Sequence, residues 1–361
     1  MHDHQLSPPL SMLSTDPAAE QGSSLEHQLR DHPERFRVLT GDRPTGSLHL
    51  GHYFGTLQNR VRLQNLGVES FVLIADYQVL TDRDVAKNLE PAVHGLVLDY
   101  LAVGIDPLCT TIFTHSAIAA LNQLLLPFLS LVSVAELERN PTVKDEITHS
   151  KQSSVSGLMF TYPVHQAADI LFCKANVVPV GKDQLPHLEL TRTIARRFNT
   201  RYASEQRIFA EPAALLSAAP LLLGTDGGKM SKSRGNAVAL ADDADTTARL
   251  IRGAKTDSLR KISYDPEHRP EVSSLVLLAA LCQGKDPHEV AEELGSSGSG
   301  ALKSLVIDAV NEHLAPIRAR RIELAKDPGY LRDVLRAGNE RANDVAELTL
   351  EEVRKAMKTY Y

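Results

Sequence analysis

Phe36-Arg37-Val38-Leu39-Thr40-Gly41-Asp42-Arg43-Pro44-Thr45-Gly46-Ser47-Leu48-His49-Leu50-Gly51-His52 is the stretch from which the fold can be read. Phe36–Thr40 has the composition of a strand, and Gly41–Gly46 concentrates the residues of a tight loop. From Leu48 to Leu66 apolar positions recur at helical spacing, and Gly67 supplies the stop. Ser70–Ala75 then forms a continuous apolar run, the pattern of a strand buried on both faces. Glu90–Val103 reads as a second helix ending at Gly104, and Thr110–Thr114 as a third strand. This strand–helix alternation predicts an α/β protein with a parallel, doubly wound sheet.

Working outward, the chain has 361 residues, enough for two domains and a large core. A net charge of −6, with 43% hydrophobic and 23% charged residues, excludes wholesale disorder, collagen-like repeats, a membrane bundle and a uniformly basic nucleic-acid coat. Cys109, Cys173 and Cys282 are scattered and odd in number, so neither a zinc site nor a disulfide framework is expected, and a reducing cytoplasm is the expected compartment. No secretory signal opens the chain. The most apolar segment, Ala117–Val134, is interrupted by Asn122, Gln123, Pro127 and Ser130, which fits a buried or interface helix better than a membrane span.

Residues 1–34 read as a mobile arm with a short helix near Leu25–His32, and their four histidines as solvated. An α/β catalytic domain is expected over 35–225, with helices around 115–175, a strand at Asn176–Val180 and a helix over Asp183–Phe198. A loop at 226–235 leads into a helical domain over 236–361. There Leu302, Leu305, Val306, Ala309, Val310, Leu314 and Ile317 trace one helix face, preceded by a flexible Gly295–Gly300 loop.

Two motifs carry chemistry. His49-Leu50-Gly51-His52 opens a helix after a strand and a Gly/Pro loop, so two imidazoles share one face beside free backbone N–H groups suited to phosphate. Gly51 removes a side chain where a ligand ring could press on the backbone. Far downstream, Gly227-Gly228-Lys229-Met230-Ser231-Lys232-Ser233 sets two cations among small residues behind a diglycine hinge, able to close on the pyrophosphate end of ATP. Taken singly, each also reads as a capped helix start or a solvated basic turn; together and in this order they point to a nucleotide.

HLGH followed by KMSKS resembles the paired HIGH and KMSKS motifs of class I aminoacyl-tRNA synthetases, whose catalytic sheet is Rossmann-like. The text between is similar to the tryptophanyl members: Thr40–Gly46, Ala135–Arg139, Thr161-Tyr162-Pro163, Ala167–Leu171, Val178–Gly181, Asp183-Gln184 and His187–Arg192. The resemblance implies ATP, Mg²⁺, L-tryptophan and tRNA(Trp) as reactants and a homodimer as the assembly, with no membrane or DNA partner; it makes the helices around 115–175 a dimer-interface insertion and 236–361 the anticodon-binding domain. It implies catalytic roles for His49, His52, Lys229 and Lys232. ATP would be bound by Gly41, Arg43, Thr45, Gly51, His52, Gly181, Asp183, Lys229, Met230, Ser231, Lys232 and Ser233. Tryptophan would be bound by Leu39, Gln78, Tyr162, Gln166, Asp169, Val178, Val180 and Gln184, with Asp169 accepting the indole N–H. Asp183 reads equally as a helix cap, and Asp169 as a paired structural acid.

Five positions depart from the usual bacterial pattern: Leu39 where an aromatic is usual, Arg43 where Gln is, Gln78 where His is, Gln166 where Met is, and Lys182 where Glu is. A more polar, roomier amino-acid pocket is the expectation, with altered tolerance for substituted tryptophans or tryptophan-mimicking inhibitors. For tRNA, the basic runs Arg192, Arg196, Arg197, Arg201 and Arg318, Arg320, Arg321 are the candidates. A tyrosyl-type synthetase, a nucleotidylyltransferase and a catalytically retired paralogue acting as a binding protein are the alternatives. A partner for the arm remains open.

Overall fold

The computed structural model describes residues 17–81, 89–141, 143–144, 156–181, 184–216, 222–231 and 234–361, with side chains from Ser24 onward. Along the chain run α1 (Pro17–Asp31), β1 (Arg37–Asp42), α2 (Leu50–His52), a π-helical turn (Tyr53–Leu57), α3 (Gln58–Asn65) and β2 (Glu69–Ile74). Next come α4 (Leu89–Val103), β3 (Thr110–Thr114), α5 (Ala119–Leu129), α6 (Val134–Arg139), α7 (Gly157–Leu171), β4 (Val177–Val180), α8 (Leu185–Tyr202) and β5 (Ala213–Leu216). The described remainder is helical: α9 (Ala244–Arg252), α10 (Pro270–Gln283), α11 (Pro287–Leu294), α12 (Gly298–Leu324) and α13 (Pro328–Ala356). None of the described helices is long and apolar enough to cross a membrane.

These elements divide into two compact units. The sheet unit comprises residues 25–46, 59–218 and 324–361, and the second unit draws on 47–58 and 219–323 together with residues 17–24. This differs from the division that composition suggested, in which everything after 236 formed one domain. In the sheet unit all strand pairs are parallel, in the order β3-β2-β1-β4-β5. Winding reverses between β1 and β4, the switch point of a doubly wound sheet. All of β2 except Glu69 is buried, which is why its sequence shows no alternation. Leu39, Phe71, Leu73, Phe113, Phe172, Phe198 and Phe209 belong to one continuous core.

The structure departs from the sequence reading in three places. The helix expected near Leu25–His32 is longer and docked: α1 runs from Pro17 to Asp31, Leu29 is fully buried among Val38, Leu63, Val68, Val177 and Leu215, and Arg62 grips Glu26 with both terminal nitrogens. The Gly295–Gly300 segment is only half loop. Gly295, at φ +52°, stops α11, and α12 already begins at Gly298, because the buried stripe of Leu302, Val306, Val310 and Leu314 carries the helix through its weak first turn. Strand β5, Ala213-Ala214-Leu215-Leu216, has no counterpart in the sequence pattern, because four small and aliphatic residues carry no periodicity.

Candidate active site

Strand β1 ends on a buried ionic knot. Arg60 is almost fully buried; its Nη1 donates to Asp42 Oδ2 (2.5 Å) and its Nε to Thr40 Oγ1 (3.1 Å), while the Tyr100 hydroxyl donates to the same Asp42 oxygen (2.7 Å). Burial works against the guanidinium charge, but Asp42 outweighs it and raises its pKa. Gly41, expected to make room for ATP, has a nearer reason to be glycine: a Cβ there would lie 2.6 Å from the Leu73 carbonyl oxygen of the neighbouring strand. Arg43 and Thr45 are exposed, and Thr45 N–H donates to the Arg43 carbonyl (2.8 Å).

In the second unit His49 stands in extended backbone as the residue before α2, and its N–H donates to His52 Nδ1 (3.3 Å). The rings lie 3.8 Å apart, tilted by 39°. Burial, and then the neighbouring His52, lower the His49 pKa to about 4, so at neutral pH it is an uncharged hydrogen-bonding group. A Cβ on Gly51 would lie 3.0 Å from the His49 ring and 3.5 Å from Met230 Sδ. The π-helical turn is anchored where the Tyr53 hydroxyl meets His313 Nε2 (3.0 Å).

Because folded His49 refuses a proton until about pH 4, whereas the unfolded chain accepts it near 6.5, the unfolded state binds more protons across that window. Stability is therefore expected to fall as pH drops from about 6.5 to about 4, by about 1–2 kcal/mol after allowance for solvent screening. Urea midpoints at pH 7 and 4.5 check this: H49Q should lose part of the acid sensitivity, and equal slopes would refute the assignment.

The lysine loop lies in the same unit and is built on a side chain that the motif reading missed. Asn236 is buried, and its Nδ2 donates to Asp226 Oδ1 (2.6 Å) and the Lys229 carbonyl (3.1 Å), while its Oδ1 accepts from Ser231 N–H (2.7 Å). Gly224 has no room for a Cβ, which would meet the Asn236 amide at 2.3 Å, and Gly227 takes φ +82°. The clue was the carboxamide in Lys232-Ser233-Arg234-Gly235-Asn236, five residues after Ser231. Lys229 is exposed and Met230 buried. Lys232 and Ser233 lie outside the described residues, as do Lys182 and Asp183.

The two motifs, distant in sequence, are joined by backbone. Leu50 N–H donates to the Val238 carbonyl (3.0 Å), Leu240 N–H donates to the Leu48 carbonyl (2.9 Å), and His49 pairs with Ala239 in an antiparallel bridge. The segment leaving the lysine loop is thus hydrogen-bonded to the segment entering the histidine helix.

In the sheet unit, Leu39, Val178 and Val180 are buried on β1 and β4 and belong to the core cluster. Tyr162, Gln166 and Asp169 recur on α7 at helical spacing, Gln166 half-buried and the other two buried. Gln78 is half-buried after β2. Gly181 is exposed, and its carbonyl accepts from the N–H of half-buried Gln184, which caps α8. The Tyr162 hydroxyl meets His187 Nε2 (3.0 Å), and Asp169 Oδ1 meets His115 Nε2 (2.8 Å). The buried histidines His115 and His165 stand in no sequence motif; His187 opens the His187–Arg192 stretch that carried the resemblance, without a role assigned to it.

The basic face expected on α8 is largely spent inside the protein. Arg192 bonds Glu189 and the Pro212 carbonyl, Arg196 bonds Glu211, Arg197 bonds Glu136 and the Leu131 carbonyl, and Arg201 lies over the Tyr202 ring. Arg318 bonds Asn311 and Thr247, while Arg320 is exposed.

Residues 31–315 match the family model described as tRNA synthetases class I (W and Y). The chain is 44% identical to the tryptophan–tRNA ligase of Clostridium longisporum, over 90% of this chain and 97% of that one. It is 42% identical to the tryptophan–tRNA ligase of Lactococcus lactis, over 90% and 98%. Among solved structures, tryptophanyl-tRNA synthetase from Campylobacter jejuni complexed with ADP and tryptophan is similar at TM-score 0.76 and 30% identity, covering 89% of this chain and 99% of that one. Tyrosyl-tRNA synthetase from Archaeoglobus fulgidus shares the fold at TM-score 0.65 and 22% identity, over 84% and 94%.

Proposed function

Since the chain belongs to the class I tRNA synthetases of the W and Y family, we propose that it is a tryptophan–tRNA ligase. It activates L-tryptophan with ATP to tryptophanyl-adenylate, releasing pyrophosphate, and transfers the tryptophanyl group to tRNA(Trp). The observation that carries the nucleotide half is the backbone pairing of Leu48–Leu50 with Val238–Leu240, which holds the two imidazoles and the lysine loop in one hydrogen-bonded frame.

The tryptophan carboxylate is already ionised at neutral pH, so activation requires no general base. It requires alignment, and positive charge where the leaving pyrophosphate accumulates negative charge. In this reading His52 and uncharged His49 contact ATP, and Lys229 and Lys232 stabilise the pyrophosphate, with Ser231 and Ser233 as hydrogen-bond donors. Asp226, the loop's carboxylate, is engaged by Asn236 and by Gly228 N–H (2.9 Å), so the donor set fits a Mg²⁺ carried on the triphosphate oxygens. That ion would neutralise phosphate charge. Tyr162, Val178 and Val180 line the indole slot and Asp169 accepts the ring N–H. Exposed Leu126 and Val134 support a homodimer, and the chemistry belongs where tRNA and ATP meet, in the cytoplasm.

Amino-acid-dependent ATP–pyrophosphate exchange tests the reading. Exchange with tryptophan alone is expected; exchange with tyrosine would select the tyrosyl alternative, and none at all would select a retired paralogue. Half-buried Gln78 and Gln166, at positions usually His and Met, make the pocket more polar. The ratio of kcat/KM for tryptophan over 5-hydroxytryptophan is therefore expected to be smaller, by about three-fold or more, than in an ordinary bacterial homologue. Equal ratios would refute it.

A further inference from the structure

Asp169, which the proposed function asks to accept the indole N–H, is not alone. It is 1% exposed, and its Oδ1 lies 2.8 Å from Nε2 of His115, which has no exposed surface. Its other oxygen meets no donor among the described residues. A buried carboxylate oxygen needs a hydrogen-bond partner, and this imidazole supplies one. Burial disfavours a charged His115, but Asp169 and then Asp76 outweigh it and raise its pKa.

His115 is itself held. Asn122 Nδ2 donates to its backbone carbonyl (2.9 Å), and the Tyr77 ring stacks over its ring at 6.4 Å and 27°. Asp76 Oδ1 accepts from the N–H of the next residue, Ser116 (3.1 Å), and Oδ2 accepts from its hydroxyl. The His165 ring lies 4.5 Å from His115, and its Nε2 meets Asn122 Oδ1 (2.9 Å). The carboxylate on α7 therefore takes its orientation from the segment that follows β3.

We propose that His115 is a positioning and specificity residue for the amino acid: by occupying Oδ1 of Asp169 it holds the carboxylate as a fixed acceptor that offers Oδ2 to one ring N–H. A carboxylate held in this way cannot turn away to suit another ligand. An amino acid without the donor would leave a buried oxygen unpaired, which a site of this kind rejects strongly. His115, His165 and Asp169 each offer a ligand atom within 4.8 Å of the others, a spacing a divalent cation could use. The Nε2 atoms of both imidazoles already face Asp169 and Asn122, while their Nδ1 atoms have no hydrogen-bond partner among the described residues, so a metal assay belongs in the test.

The inference rests on tryptophan being the substrate, and its test separates the two. Exchange kinetics are measured on the full chain for wild type, H115F and H115Q, with tryptophan and with 3-benzothienylalanine, in which sulfur replaces the ring N–H. H115F is expected to raise KM for tryptophan by about ten-fold or more, with KM for ATP within about two-fold, and to narrow the preference for tryptophan over the sulfur analogue by a similar factor. H115Q, whose amide nitrogen can stand near the lost Nε2, should recover most of both. Were H115F not to fold, H115N, polar but too short to reach Asp169, takes its place. Unchanged tryptophan KM in H115F, a glutamine variant as poor as the phenylalanine one, or stoichiometric divalent metal in the wild type that H115Q loses would each overturn the inference. Wild type without tryptophan-dependent exchange would instead overturn the functional reading.

Discussion

Alanine at Lys229 is expected to slow tryptophan-dependent pyrophosphate exchange by about 10²–10³-fold, the usual cost of removing one preorganised charge from a developing anion. The melting temperature should stay within about 2 °C, because an exposed side chain is being removed. Its backbone is set by groups that the substitution leaves in place: Asn236 Nδ2 on its carbonyl, and the bridge between Leu223 and Lys229. A folded K229A protein with wild-type exchange would remove the loop from the chemistry. Steady-state exchange with separate ATP and tryptophan titrations, beside a thermal melt, gives both readouts.

Gly338→Ala should cost stability rather than catalysis. Helix α13 closes the outer edge of the sheet against β3, where Asn339 Oδ1 accepts the Thr114 N–H (3.0 Å) and Arg341 Nη2 donates to the Pro107 carbonyl (2.7 Å). Without that cover the edge strand would present unpaired backbone groups. A Cβ on Gly338 would sit 1.8 Å from the Ile112 carbonyl oxygen, and strand backbone has nowhere to go. The helix must lift, at a cost of about 3 kcal/mol or more, which lowers the melting temperature by about 6–12 °C in a unit of this size. Gly95 in α4 is the control: nothing lies within 4 Å of its Cβ, and alanine there should be neutral or slightly stabilising. Equal melting curves for G338A and G95A would show that α13 does not seal the sheet.

Much of this protein was legible in one dimension because its signals are local. Thr110–Thr114 is a strand to the residue, and β2 and α4 each fall within one residue of the expected bounds. Gly67 and Gly104 end helices in positive-φ backbone that glycine adopts cheaply, which is why the stops could be read without a structure. The buried stripe of α12 was likewise visible in its spacing, whereas the helix start was not. Glycine and serine oppose a helix locally, and only the burial of the stripe behind them outweighs that cost.

The side chains that bear chemistry divide in the same way. His49, Gly51, His52 and Lys229 could be singled out as candidates because their signals are set by immediate neighbours: a helix start, a missing side chain, a hinged turn. The partners that hold the candidate site do not. Asn236 beneath the lysine loop, the pairing of Leu48–Leu50 with Val238–Leu240, and His115 against Asp169 join residues whose proximity comes from chain crossings and carries no spacing of its own. Sequence alone determined the first three strands, the helices between them and the two candidate motifs, since periodicity, glycine stops and helix starts act within a few residues. Only tertiary structure decided which charges are free to act. On α8 the arginines that read as a basic face are spent on Glu136, Glu189 and Glu211, and burial discharges His49 while a buried carboxylate favours charge on His115, because desolvation and ion pairing depend on neighbours that folding alone assembles.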